Sequence, residues 1–390
     1  MTARCGDAPA IGVTQEQAAM RIDVGGSRLY DLQRVGQSVW LDCDHPRTLI
    51  GSPLAHLIGD GIAGINTNAV GLATAYAEDM AYRELIAKLR AAGAAAYQIY
   101  ERLSIEELRR AADQLRRVYN NTGGRDGYVN IELPPTLAHD ADGTESEARR
   151  LWNVIDRPNT MIKVPATDAG LVAMRRLIAA GLNVNATLIF GARRYREVAD
   201  AYLSGLEDRV ARRLPLERVA SAASVLLSRI DSAIDRELDS IQQPTKAVHA
   251  GRLRGRAAVA VAQFVYQRYK SVIASPRWQP LAAHHAQTQR LLWASTDIGN
   301  VYHSDLRYVN ELVGRDTVTA MSQNTLDAFL DHGTAAPTLE RDLLEVLALF
   351  GKLEALRIDL DRVGTQLERE SIGAIAASVN TALTLLASAA

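Results

Sequence analysis

Seven short apolar segments of this chain carry polar side chains where a strand buried on both faces would hold Val, Ile or Leu. Asp42 closes segment 38–42, Asn68 closes 63–68, Glu132 lies late in 128–133, and Lys163 sits inside 161–166. Asn185 and Thr187, two apart in 182–189, share one face of a strand. Ser224 lies in 219–227 with Arg229 just beyond it, and Ser295 is late in 291–296. One such residue is ordinarily a satisfied core group. Seven segments contributing polar groups to one face would each need a separate structural explanation, so a shared site is the simpler reading.

Lys163 anchors that site. Only five of the 44 basic residues are lysine: Lys88, Lys163, Lys246, Lys270 and Lys352. Four fall in helical or loop patterns, where a solvated side chain is expected, and the Arg excess itself reads as codon bias. Lys163 alone is embedded in a strand, among Met161, Ile162, Val164 and Pro165. Burying an ammonium is costly, and desolvation favours the neutral amine. A neutral amine in a pocket attacks carbonyls. The competing structural role is a buried ion pair with Glu132 or Asp42. Imine chemistry also needs a proton to leave a carbinolamine, water to depart and return, and a substrate hydroxyl to exchange its proton. Two carboxylates in different environments, with the Thr187 hydroxyl, can divide those steps. Asn side chains offer both donor and acceptor to a polyol.

The elements that must bring these residues together alternate short β-branched or apolar runs with long helical patterns, as in a parallel sheet built from βα units. An eighth strand is read at 317–321, and segments such as SIEELRRAADQLRRVY and RRYREVADAYLSGLEDRVARR space their apolar residues at helical steps. Eight strands predict an α/β fold, a (β/α)8 TIM barrel with additional helices and a helical C-terminal segment. A doubly wound sheet would want a Gly-rich first turn, and no GxGxxG follows the first strand. The long gaps between strands two and three and between six and seven predict extra helices. The expected organisation is a flexible or irregular arm over 1–28, the barrel over 29–336, and helices over 337–390 packed on the barrel. In such a barrel the late-strand polar residues lie at the face that holds the chemistry.

Composition narrows the function class. With 390 residues, 47% of them hydrophobic, a large core needs no staples. A net charge of −1, from 44 basic and 45 acidic residues, argues against nucleic acid as the main partner. Cys5 and Cys43 form no metal-ligand or redox pattern, and MTARCGDAPA does not read as a signal peptide. No 18-residue stretch is read as both uncharged and apolar, so the Ala/Leu-rich end is expected to be a packed terminal helix. The expected setting is cytoplasmic, with small molecules rather than membrane or nucleic acid as partners.

The densest motifs are DRPNTMIKVPAT (156–167), GLNVNATLIFGARRYREVADAYLSG (181–205), SVLLSRID (224–231), LRGRAAVAVAQFVYQ (253–267), QRLLWAST (289–296), DLRYVNELVGRDTVTAM (305–321) and TLDAFLDHG (325–333). Together they resemble the transaldolase family over residues 39–333. The resemblance implies a metal-free, cofactor-free transferase that moves a dihydroxyacetone unit from a ketose or ketose phosphate to an aldehyde. The ordinary case is the sedoheptulose 7-phosphate and glyceraldehyde 3-phosphate exchange of the pentose phosphate pathway. It also implies the roles. Lys163 is the Schiff-base lysine, Glu132 and Thr187 position the catalytic water, and Asp42 handles the C4 hydroxyl. Asn68, Asn185 and Ser224 hold the dihydroxyacetone unit, and Arg229 meets a phosphate; Ser295, by its late-strand position alone, is a further candidate for substrate binding. Similar enzymes are commonly homodimers.

The chain departs from the family pattern at places that matter for substrate. After the strand-two Asn68 stand Ala69 and Val70 instead of Pro and Ser, and Leu226 replaces an aromatic. Pro134 and Thr136 stand where the strand-three motif usually continues with Asp and Arg. After WAST come Asp297, Ile298 and Gly299, so a cation expected near the phosphate is absent and an acid stands beside its place. That change predicts weaker phosphate binding and a specialised substrate unless Arg193, Arg194 or Arg307 fills the role. Two other readings keep the fold: a Schiff-base aldolase that releases or uses free dihydroxyacetone, and an inactive barrel acting as a binding protein.

Overall fold

The computed structural model describes residues 27–43, 52–67, 69–298, 304–340 and 343–388. Its eight strands are β1 (Gln37–Cys43), β2 (Ile62–Thr67), β3 (Tyr128–Glu132), β4 (Thr160–Pro165), β5 (Val184–Ile189), β6 (Ser221–Leu226), β7 (Arg290–Ala294) and β8 (Thr317–Met321). They pair in sequence order, all parallel, and β8 returns to β1, closing the expected (β/α)8 barrel. Closure leaves no strand edge to protect. It also explains the near-continuous burial of each strand, with helices outside and side chains filling the interior.

Three helices, Ala69–Glu78, Met80–Ala91 and Ala96–Asn121, fill the long β2–β3 gap, and four lie between β6 and β7. The N-terminal arm falls almost entirely outside the described residues; helix Arg28–Val35 begins inside its expected limit. This helix is capped by Ser27, whose Oγ accepts from Leu29 N, and ends on Gly36 in the left-handed region. It was hidden in sequence by its polar composition.

Strand ends differ from the sequence reading by a residue or two, and two differences touch the site. β7 stops at Ala294, so Ser295 lies beyond the strand rather than late in it. Its φ of 53° takes the chain out of the ladder. β2 stops at Thr67, and Asn68 lies outside the described residues. At the start of β5, Asn183 stays out of the strand, donating to Pro158 O and Thr160 O and accepting from Ala220 N.

The N-terminal end of the barrel is plugged by a buried ion pair. Arg290 Nη1 lies 2.9 Å from Asp126 Oδ1, and Asp126 also accepts from Ser38 Oγ and Trp40 Nε1. Arg290 further donates to Ser38 Oγ and Thr317 O, so the paired charges are enclosed in hydrogen bonds. Above this plug Trp40 lies across Gly64 of β2. A Cβ on Gly64 would come within 2.6 Å of the indole, so only glycine fits there.

Two helices, Leu343–Ala355 and Leu360–Ser388, complete the chain. The second corrects the expectation about apolar runs, since it is long and apolar enough to cross a membrane by length and composition. Here it packs on helices Ala69–Glu78, Ala96–Asn121 and Leu227–Asp239 and reaches the end of β5, over the C-terminal mouth of the barrel.

Candidate active site

Strand register assembles the site. Asp42 of β1 is level with Asn66 of β2, Glu132 of β3 with Lys163 of β4, and Lys163 with Asn185 of β5. One step further up, Pro165 is level with Thr187. Asp42, Glu132, Lys163, Thr187, Ser224, Arg229 and Ser295 therefore meet around one cavity of about 280 Å³ at the barrel mouth. Asn66 and Leu188 line it too, and Ala374, Ile375 and Ser378 of the C-terminal helix form its outer wall.

The Lys163 amine is not a lone desolvated group, as the strand context predicts. Nζ donates to Glu132 Oε1 at 2.7 Å and to Thr67 O at 3.3 Å. The two side chains are 11% and 19% exposed, and their level register across β3 and β4 makes the pair a direct consequence of the fold. The ion pair is thus present, and it does not compete with carbonyl chemistry. An acceptor 2.7 Å from the ammonium is the group to which its proton can go before the amine attacks.

Asp42 faces the same cavity in a different environment. Burial pushes its carboxyl up to about 6, and Asp297 and Glu132 push the same way. The Lys163 charge and the Asn66 hydrogen bond pull it back. Asn66 Nδ2 donates to Asp42 Oδ1 at 3.1 Å, and Asn130 Nδ2 donates to Asn66 Oδ1 at 3.0 Å. That second bond fixes which end of the Asn66 amide faces the carboxylate. An acid titrating near 6 is poised to take and return a proton near neutrality.

On the other side Ser224 Oγ donates to Asn185 Oδ1 at 2.7 Å. Asn185 is fully buried and does not itself line the cavity, and its NH2 group has no hydrogen-bond partner among the described residues. Leu188 and Ser295 both line the cavity with φ near 60°, at 63° and 53°, a costly backbone for non-glycine residues that recurs at ligand sites. Ser295 O accepts from Ser228 N at the start of helix Leu227–Asp239, which holds that turn in place.

Arg229 is the one arginine that lines the cavity among the described residues. Burial lowers its affinity for the proton, and Glu132 opposes that effect. The arginines considered as replacements for the missing cation are engaged elsewhere. Arg193 pairs with Glu197 and Asp361, Arg194 with Asp168, Glu197 and Glu368, and Arg307 with Glu311. Asp297 is exposed, and its carboxylate accepts from Ser322 Oγ and Thr325 Oγ1 at the start of helix Gln323–His332. Gly299 lies outside the described residues, as does Asn68.

Sequence reasoning missed Asn66, Leu188 and the whole wall from the C-terminal helix. Asn66, a polar residue inside a buried strand, carries the same signal as its neighbour Asn68. The helix wall left no local signal.

Comparison with known proteins bears on what this arrangement does. Residues 39–386 match the family model described as Transaldolase/Fructose-6-phosphate aldolase. The protein named Transaldolase from Thiobacillus denitrificans is 40% identical over 339 residues, covering 87% of this chain and 93% of that protein. The Transaldolase of Saccharopolyspora erythraea is 41% identical over 348 residues, covering 89% and 93%. Transaldolase 1 of Streptomyces coelicolor is 42% identical over 346 residues, covering 87% and 90%.

Proposed function

Because the chain belongs to the transaldolase/fructose-6-phosphate aldolase family, we propose that it transfers a dihydroxyacetone unit from a ketose phosphate to an aldehyde through an imine at Lys163. The observation that carries this reading is the Lys163 amine in the mouth cavity, 2.7 Å from the Glu132 carboxylate and in the field of Asp42.

The steps follow from the geometry. Glu132 takes a proton from the ammonium, and the free amine adds to C2 of the ketose. The carbinolamine loses water, with Glu132 and the Thr187 hydroxyl as the groups that handle it, and a protonated imine remains. Asp42, ionised, removes the proton of the C4 hydroxyl. The C3–C4 bond breaks, its electron pair moves into the imine to give an enamine, and the shorter aldehyde leaves. The enamine carbon then attacks the acceptor's carbonyl carbon, and Asp42 returns its proton to the new C4 oxygen. Water adds back at C2 and releases the lengthened ketose and the Lys163 amine. Ser224 and Asn185 suit the hydroxyls of the three-carbon unit, as does Ser295 at its strained turn. Asn68 keeps the same expected role, and Arg229 suits the phosphate.

Substrates are accordingly sugar phosphates, and the pathway setting is that of pentose phosphate exchange. A cytoplasmic homodimer remains the expected form. Arg229, the one arginine lining the cavity among the described residues, supports weaker phosphate binding than a site with two arginines would give. The aldolase and binding-protein readings have no observation of their own in their favour. Product analysis separates them. Sedoheptulose 7-phosphate should be consumed only when glyceraldehyde 3-phosphate is supplied, yielding erythrose 4-phosphate and fructose 6-phosphate. Release of free dihydroxyacetone without acceptor would instead identify an aldolase.

A further inference from the structure

One face of the C-terminal helix, Ser371, Ala374, Ile375 and Ser378, turns toward the barrel mouth at helical spacing. The last three line the active-site cavity, and Ser371 reaches Arg229, whose Nη1 donates to its Oγ at 2.7 Å. Ser371 is 1% exposed, so this hydroxyl is removed from water. The helix is itself tied to the barrel on the turn before. Arg194 Nε lies 3.2 Å from Glu368 Oε2, and both side chains are largely buried. Farther back, Arg362 pairs with Glu237 at 2.6 Å.

We propose that Ser371 is a positioning and specificity-determining residue, which holds the Arg229 guanidinium aimed into the cavity so that its remaining N–H groups meet the phosphate of the substrate. This rests on the reading of Arg229 as the phosphate-binding group and adds a residue of the C-terminal helix to it. The physical need is specific to this site. An arginine on a long side chain, with no second arginine lining the cavity among the described residues, loses rotamer freedom when it binds an anion. A buried acceptor on one nitrogen removes part of that loss in advance, leaving the other donors free for a two-point contact.

Titration of the purified full-length protein with inorganic phosphate by calorimetry tests this directly, and needs no turnover. Ser371→Ala should weaken phosphate binding by about tenfold, the scale of one hydrogen bond to a charged group. Ser371→Thr, which keeps an Oγ, should recover most of it. In kinetics, the ratio of kcat/KM for glyceraldehyde 3-phosphate to that for unphosphorylated glyceraldehyde should fall in Ser371→Ala through KM, and be restored in Ser371→Thr. Equal phosphate affinity in wild type and Ser371→Ala, or no phosphate binding by the wild type, would overturn the proposal. A protein that bound phosphate through Ser371 yet exchanged no sugars would refute the transfer reading and leave this assignment standing.

Discussion

Asn66→Ala isolates the acid–base step. In the wild type, burial raises the Asp42 carboxyl to about 6 while the Asn66 bond, at 3.1 Å, favours its ionised form. A hydrogen bond to a charged group contributes about 1.5–3 kcal/mol, and one pKa unit corresponds to about 1.4 kcal/mol. Removing the amide should therefore raise the carboxyl by about one to two units, nearer one if water takes the vacated place. The sign follows from the role. Asp42 must be ionised to take the C4 proton, so kcat/KM falls as pH drops through its pKa. A higher pKa moves that fall to higher pH. At pH 7 the ionised fraction would drop from roughly nine-tenths to between about a half and a tenth, a two- to tenfold loss of kcat/KM that disappears near pH 9. The assay is the pH profile of kcat/KM for both proteins, from pH 5 to 9. Asn130→Ala, which frees the Asn66 amide to turn, should shift the limb the same way by less. An acidic limb that stayed in place in Asn66→Ala, or moved down, would refute the assignment of that limb to Asp42.

Two further substitutions test the site and its scaffold. Glu132→Gln leaves the Lys163 amine without its carboxylate and should lower kcat by about 10²- to 10⁴-fold, measured in steady-state exchange assays. Gly64→Ala forces a methyl against the Trp40 indole and should cost about 1–3 kcal/mol in a denaturant titration, with the cavity residues themselves unaltered.

The barrel was legible because parallel strands buried on both faces read as short apolar runs, and the site because polar residues recur late in those runs. That same contrast picks out Lys163, Glu132, Asp42 and Thr187, together with Asn68, Asn185, Ser224 and Ser295. What sequence could not supply was register and long-range contact. The Lys163–Glu132 pair depends on two strands being level, which apolar patterning does not state. The Arg229–Ser371 bond joins residues 142 positions apart, and the Arg290–Asp126 plug joins residues 164 apart. WAST continues an apolar run and so reads as strand through Ser295, whereas its left-handed backbone ends the ladder one residue earlier. The apolar composition of Leu360–Ser388 is equally ambiguous in sequence, since by length and composition alone it also meets the requirement for crossing a bilayer.

The central claim is that Lys163 forms the imine. Wild-type protein incubated with sedoheptulose 7-phosphate and reduced with borohydride should carry a three-carbon adduct on the peptide containing Lys163, by mass spectrometry, and lose exchange activity in proportion. Lys163→Ala should show neither adduct nor activity. A reduced adduct that persisted in Lys163→Ala, or lay on another lysine of the wild type, would contradict the account.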